Sequence, residues 1–207
     1  MTRPLSGHDF VPATGDGPEV PAVLLIHGLG GSPAEMHPLG RALARAGFRA
    51  HAVALAGHCG DEADLAASRW EDWRASAEAG LESLAQGGRR RLFVAGLCLG
   101  ALLALELAGR HPGRIGGIAL YSVPLWYDGW AIPRLGRWVL PLLLRLPGVG
   151  RRLRFVAGPP FGLKDESLRR RVAQAKQAGH SHLAGLPAIS GAALRELDGP
   201  TRRLRGT

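Results

Sequence analysis

Gly96, Cys98 and Gly100 lie in the stretch VAGLCLGALLALELA (Val94–Ala108), at the spacing of a G-x-S-x-G nucleophile turn with cysteine in the serine position. Such a turn needs a strand that ends, a residue forced into a strained backbone conformation, and a helix that starts at once. The run RLFVA (Arg91–Ala95) supplies the strand and LGALLALELAGR (Leu99–Arg110) the helix, with glycines keeping side chains out of the bend. A thiol at a helix N-terminus is favoured as thiolate by the unsatisfied N–H groups and the helix dipole. The plain alternative, that Cys98 is a small buried apolar residue, does not require glycine on both sides.

A second cluster, HGLGG (His27–Gly31), directly follows an apolar run. Acyl transfer needs backbone donors aimed at a developing oxyanion, and glycines let the backbone approach closely. The expected donors are the N–H groups of Leu29 and of Leu99, the residue after the nucleophile. His27 is expected to order this loop by hydrogen bonding rather than to transfer protons. Cys59, in AGHCG, belongs to a loop at the same sheet edge. A reversible Cys59–Cys98 disulfide would switch the site off; two free thiols are the simpler expectation.

The elements that must position these residues alternate in type. Ala22–His27, Arg49–Leu55, Arg91–Ala95 and Ile115–Tyr121 read as short apolar strands. Between them lie a helix reaching about Ala46, with Ser32 and Pro33 offering its N-cap and first turn, a helix over Trp70–Gln86, and Leu99–Arg110. Strands alternating with helices predict an α/β domain with a mostly parallel sheet, because parallel neighbours need crossovers. Residues 1–124 form this core. After Pro124 no strand is expected; 125–187 reads as a helical cap and 188–207 as a C-terminal helix and basic tail, with helices at Leu168–Ala178 and Gly191–Leu204.

The chain has 207 residues, 46% of them apolar and 21% charged, which fits a globular domain rather than disorder. Its net charge of +9 comes from arginines scattered along the chain without interleaved aromatics, which argues against a nucleic-acid partner. Two cysteines are too few for a disulfide scaffold and fit a reducing cytoplasm. The N-terminus MTRPLSGHDF shows no apolar core of a signal peptide. The run Trp138–Gly150 is interrupted by Pro141, Arg145 and Pro147 and is too short for a spanning helix, so no stable membrane insertion is expected.

With HGLGG after one strand, AGHCG after the next and GLCLG after the third, the chain resembles the α/β-hydrolase superfamily, in its monoglyceride lipase and carboxylesterase-like branch. The resemblance runs from about Pro21 to Val123, with a cap of similar character to about Leu186. It implies an eight-stranded sheet, a Ser-Asp-His triad, and hydrolysis of esters or monoacylglycerols with no cofactor and no metal, the substrate being a small ester with an apolar acyl group. The sequence departs from it twice. Cys98 replaces the serine, and the closing GAALRELDGPTRRLRGT holds neither of the last strands that carry the acid and the histidine. Asp128 with His180 or His182 preserves the chain order of a substitute triad, although surface roles are the plainer reading of all three. The expectation is thus an esterase-type domain with an impaired site and slow turnover. The alternatives are a cysteine-dependent acyl transferase or thioester-active enzyme, and a truncated, non-catalytic binder of an acyl ligand.

Overall fold

The computed structural model describes residues 7–86, 88–89, 91–125, 136–146, 148–156, 165–179 and 181–205. Its first half is a five-stranded sheet built from β1 (His8–Phe10), β2 (Ala22–Ile26), β3 (Arg49–Val53), β4 (Leu92–Leu97) and β5 (Ile115–Tyr121). The strand order is β1-β3-β2-β4-β5; β1 runs antiparallel to β3, and the other neighbours are parallel. All five residues of β2 are buried, as expected of a central strand covered on both faces.

Helices cover the two faces. A 3-10 turn over Pro33–Met36 leads into α1 (His37–Arg45), followed along the chain by α2 (Glu62–Ala67), α3 (Trp70–Ala85) and α4 (Leu99–Arg110). On one face Trp73, Ala77 and Leu81 of α3 pack with Leu99, Leu102, Leu103 and Leu107 of α4 against Leu24, Ile26 and Val94. On the other face Leu39 and Leu43 of α1 close over Val23, Leu25, Ala50 and Ala52. The single helix expected up to Ala46 is corrected to the 3-10 turn plus α1. Ser32 precedes that turn in extended conformation but its side chain makes no capping bond. The Asp61 side chain does cap α2, accepting from the N–H groups of Ala63 and Asp64 while Asp64 answers to the Asp61 N–H.

Past Pro124 the structure has α5 (Gly136–Arg145), α6 (Val149–Arg152), β6 (Arg154–Val156), α7 (Glu166–Gln177), α8 (Ser181–Ala184), β7 (Ala188–Ser190), α9 (Gly191–Arg195) and α10 (Asp198–Arg205). This corrects the expectation of no strand there. β6 and β7 pair antiparallel, joining Arg154–Val156 to Ser190–Ala188. They escape notice because three residues are too few for an alternating pattern to register. The helix expected over Gly191–Leu204 is likewise two, α9 and α10. Among the described residues, no helix is long and apolar enough to cross a membrane. Within the same residues β5 is hydrogen-bonded to β4 alone, and it turns Leu120 and Tyr121 toward solvent.

Candidate active site

β4 ends at Leu97, and α4 starts at Leu99. The single residue between them, Cys98, has φ 53° and ψ −111°, one of two non-glycine residues with positive φ among those described. Such a conformation is costly for an L-residue and persists only where its surroundings hold it. Three contacts do so here. The Cys98 N–H donates to the Tyr121 carbonyl at 2.9 Å, and the Cys98 carbonyl accepts from Ala101 at 3.0 Å and Leu102 at 3.4 Å. The glycines on either side are sterically required: a Cβ on Gly96 would enter the Gly100 carbonyl, and one on Gly100 would enter the Ile26 carbonyl.

The half-buried Cys98 sulfur receives the backbone N–H groups of Leu99 and Leu29. The two donors named from the sequence both act on this thiol, although Leu29 lies on the loop after β2 and Leu99 opens α4. Burial nevertheless pushes the Cys98 thiol up, the negative charge of Glu35 adds to this, and the two N–H donors only partly oppose it. The expectation of a thiolate held by the helix terminus is corrected: desolvation outweighs the donors.

His27 is fully buried. Its Nδ1–H donates to the Gly28 carbonyl at 2.9 Å, and its Nε2 accepts the Leu55 N–H at 3.3 Å. Both ring nitrogens are thus spent on holding the HGLGG loop to the end of β3. Burial, reinforced by His58, lowers its pKa to about 3. His58 packs edge-on against both His27 and Trp73 and donates from Nδ1 to the Ala56 carbonyl at 2.9 Å, and burial lowers it to about 4. Neither ring is available as a base near neutral pH.

The loop is also fastened from the far side. Gly30 offers its carbonyl to the Leu186 N–H at 2.6 Å, and the Leu186 carbonyl accepts from Lys176 Nζ of α7 at 2.6 Å. Cys59 and Cys98 are both free thiols, and burial pushes Cys59 up as well. Asp128 and His180 lie outside the described residues, while His182 stands exposed on α8. Among the described residues no cluster of three or more His, Cys, Asp or Glu side chains could hold a metal. A cavity of about 170 Å³ between α2, α5 and α9 is lined by Ser68, Arg69, Leu144, Arg195 and Glu196 and includes neither Cys98 nor the HGLGG loop.

One residue at the site was not foreseen. Glu35, on the 3-10 turn, turns its carboxylate back onto the loop, where Oε2 accepts the Gly28 N–H at 3.3 Å. Desolvation raises its carboxyl above the usual range, against the Gly28 donor and the positive charge of Lys176. Nothing in the spacing of an isolated glutamate signals this; only the reversal of the chain between Gly28 and the turn brings it back.

Comparison with known proteins agrees with this geometry. The family profile described as alpha/beta hydrolase fold matches residues 21–184. A thermostable monoacylglycerol lipase from Bacillus sp. (strain H-257) is 40% identical over 94 residues, which are 45% of this chain and 37% of that protein. A carboxylesterase from Bacillus subtilis (strain 168) is 35% identical over 104 residues, 50% of this chain and 42% of that protein. The matches thus span less than half the length of these curated relatives. The crystal structure of the Paleococcus ferrophilus monoacylglycerol lipase superposes with a TM-score of 0.69 at 21% identity, over 99% of this chain and 72% of that one. With the strand order, the nucleophile-type turn and the profile match in agreement, the chain belongs to the α/β-hydrolase fold family.

Proposed function

We propose that this chain is a carboxylic ester hydrolase of the esterase or monoacylglycerol lipase kind, with Cys98 as its nucleophile and the Leu29 and Leu99 N–H groups as its oxyanion donors. The observation that carries the reading is the strained Cys98 at the strand-to-helix junction, its sulfur meeting both N–H groups. A carbonyl carbon attacked by that sulfur puts its oxygen within reach of the same two donors, where charge develops. The named relatives, a monoacylglycerol lipase and a carboxylesterase, support an ester with an apolar acyl group.

His27 and His58 are committed to the loop and to packing, so neither serves this site as a proton relay. Acylation is therefore expected to outrun deacylation, which needs a base to activate water. Stopped-flow release of p-nitrophenol from p-nitrophenyl butyrate tests this. The wild-type protein should give a burst of one equivalent followed by slow turnover, and Cys98→Ala should give neither. An undiminished burst in Cys98→Ala would sink the assignment.

A further inference from the structure

A thiol pushed above its ordinary value is protonated at neutral pH and is then a poor nucleophile. If Cys98 attacks an ester, a group close to it must take the proton. The Glu35 carboxylate lies beside Gly28, as Cys98 does. A Cβ built on Gly28 would lie 3.6 Å from the Cys98 Cβ and 3.7 Å from Glu35 Oε2, so thiol carbon and carboxylate flank the same glycine. A Cβ on Gly31 would lie 2.5 Å from Glu35 Oε1, which shows how closely the loop wraps the carboxylate. The residue is exposed as a whole, and its Oε2 accepts the Gly28 N–H.

We propose that Glu35 is the acid–base partner of Cys98, the two side chains sharing one proton across the Gly28 position. This rests on the reading of Cys98 as the nucleophile. In acylation the S–H bond breaks, its proton passes to a Glu35 oxygen, and its electron pair forms the C–S bond to the ester carbonyl carbon. The tetrahedral intermediate then breaks its C–O bond to the alcohol, which recovers the proton from Glu35 as it leaves. In deacylation a water gives a proton to Glu35 while its oxygen attacks the thioester carbon, and the departing sulfur takes that proton back. One negative charge is present throughout. It moves from the carboxylate to the oxyanion and returns, so Glu35 is neutral at the moment an oxyanion forms beside it.

The Glu35 charge acts on the thiol in the direction expected of like charges near one site. The Glu35 charge raises Cys98, and Glu35 itself is raised by desolvation. The other ionisable groups on elements packed against the Glu35 turn are His37, Arg41 and Arg45 on α1, Arg49 and His51 on β3, and His182 on α8; β2 carries none. Arg49 and His51 bind Asp9 instead, and Lys176 on α7 is the cation whose charge reaches Glu35.

The test uses the full chain, with iodoacetamide incorporation at the Cys98 peptide followed by mass spectrometry against pH, beside the p-nitrophenyl butyrate burst. Glu35→Gln keeps an acceptor for the Gly28 N–H while removing the charge. The alkylation profile of Cys98 should then move to lower pH by about one unit, and the burst rate should fall about 100-fold or more. Glu35→Asp should recover part of the burst. An unmoved alkylation profile, which is what a purely structural role for Glu35 predicts, overturns the pairing. A burst lost in Cys98→Ala but unchanged in Glu35→Gln also overturns it and leaves ester hydrolysis standing. A shifted profile with no Cys98-dependent burst in any form supports the shared proton and removes the hydrolase reading.

Discussion

Lowering the pH from 7 to 5 should weaken this fold through two fully buried histidines. His27 and His58 have an ordinary value of 6.5 and are lowered by burial to about 3 and about 4. A lowered folded-state value means that the unfolded chain binds more protons in the interval between the two, so stability rises with pH there. The contribution is complete above 6.5 and is lost as pH falls toward the folded values. At pH 5 both rings are still neutral in the fold, and each costs about 2 kcal/mol relative to pH 7, from roughly 1.4 kcal/mol per unit below 6.5. Glu35, raised in the fold, works in the opposite sense, its stabilisation being lost as pH rises. The clean measurement is therefore a difference between variants. His58→Phe keeps a ring against His27 and Trp73 but removes one titrating group. Urea midpoints followed by circular dichroism at pH 7, 6 and 5 should show the pH-dependent loss reduced by about 2 kcal/mol in this variant. Superimposable pH dependences for wild type and variant would refute the reasoning, as would a wild-type protein more stable at pH 5 than at pH 7.

Two further outcomes follow from packing. Gly96→Ala drives a Cβ into the Gly100 carbonyl, which is backbone and cannot rotate away, so it should cost about 3 kcal/mol or more in urea unfolding and abolish the p-nitrophenyl butyrate burst. Leu102→Ala empties a fully enclosed position of α4 facing the sheet, and should cost about 3 kcal/mol in the same unfolding assay while leaving Cys98 open to alkylation.

What could be read before the structure was what depends on local chemistry. β2, β4 and α4 are legible because continuous apolar runs have few other solutions, and the elbow because its glycines stand at a fixed spacing between a strand and a helix, although the carbonyl that excludes a side chain at Gly100 belongs to the distant Ile26. Segments whose form depends on distant partners were not legible. β1 is three residues that exist as a strand only because β3 offers an edge, and β6 and β7 define each other across more than thirty residues. The state of the thiol was misread for a related reason. A helix terminus is visible in sequence, but the desolvation that outweighs it comes from everything packed around the turn. Glu35 lies deepest in this blind spot, since its role depends on where a loop brings its carboxylate back.

The cysteine at position 98 and the glutamate at position 35 are more intelligible together than apart. A carboxylate is a weak base, and proton transfer is efficient when donor and acceptor are not far apart in acidity. A serine hydroxyl lies far above any carboxyl, which is why a serine nucleophile needs an imidazole to manage its proton. A thiol is much nearer, and a desolvated carboxyl narrows the gap from the other side. Replacing serine by cysteine would thus relax the demand for a histidine. The same loop must then hold both partners still. It is tied at Gly28 by His27 and Glu35, and at Gly30 by Leu186, which Lys176 in turn anchors to α7. With the Gly28 and Gly30 carbonyls engaged, the peptide between them has little freedom, and the Leu29 N–H is kept turned toward the sulfur.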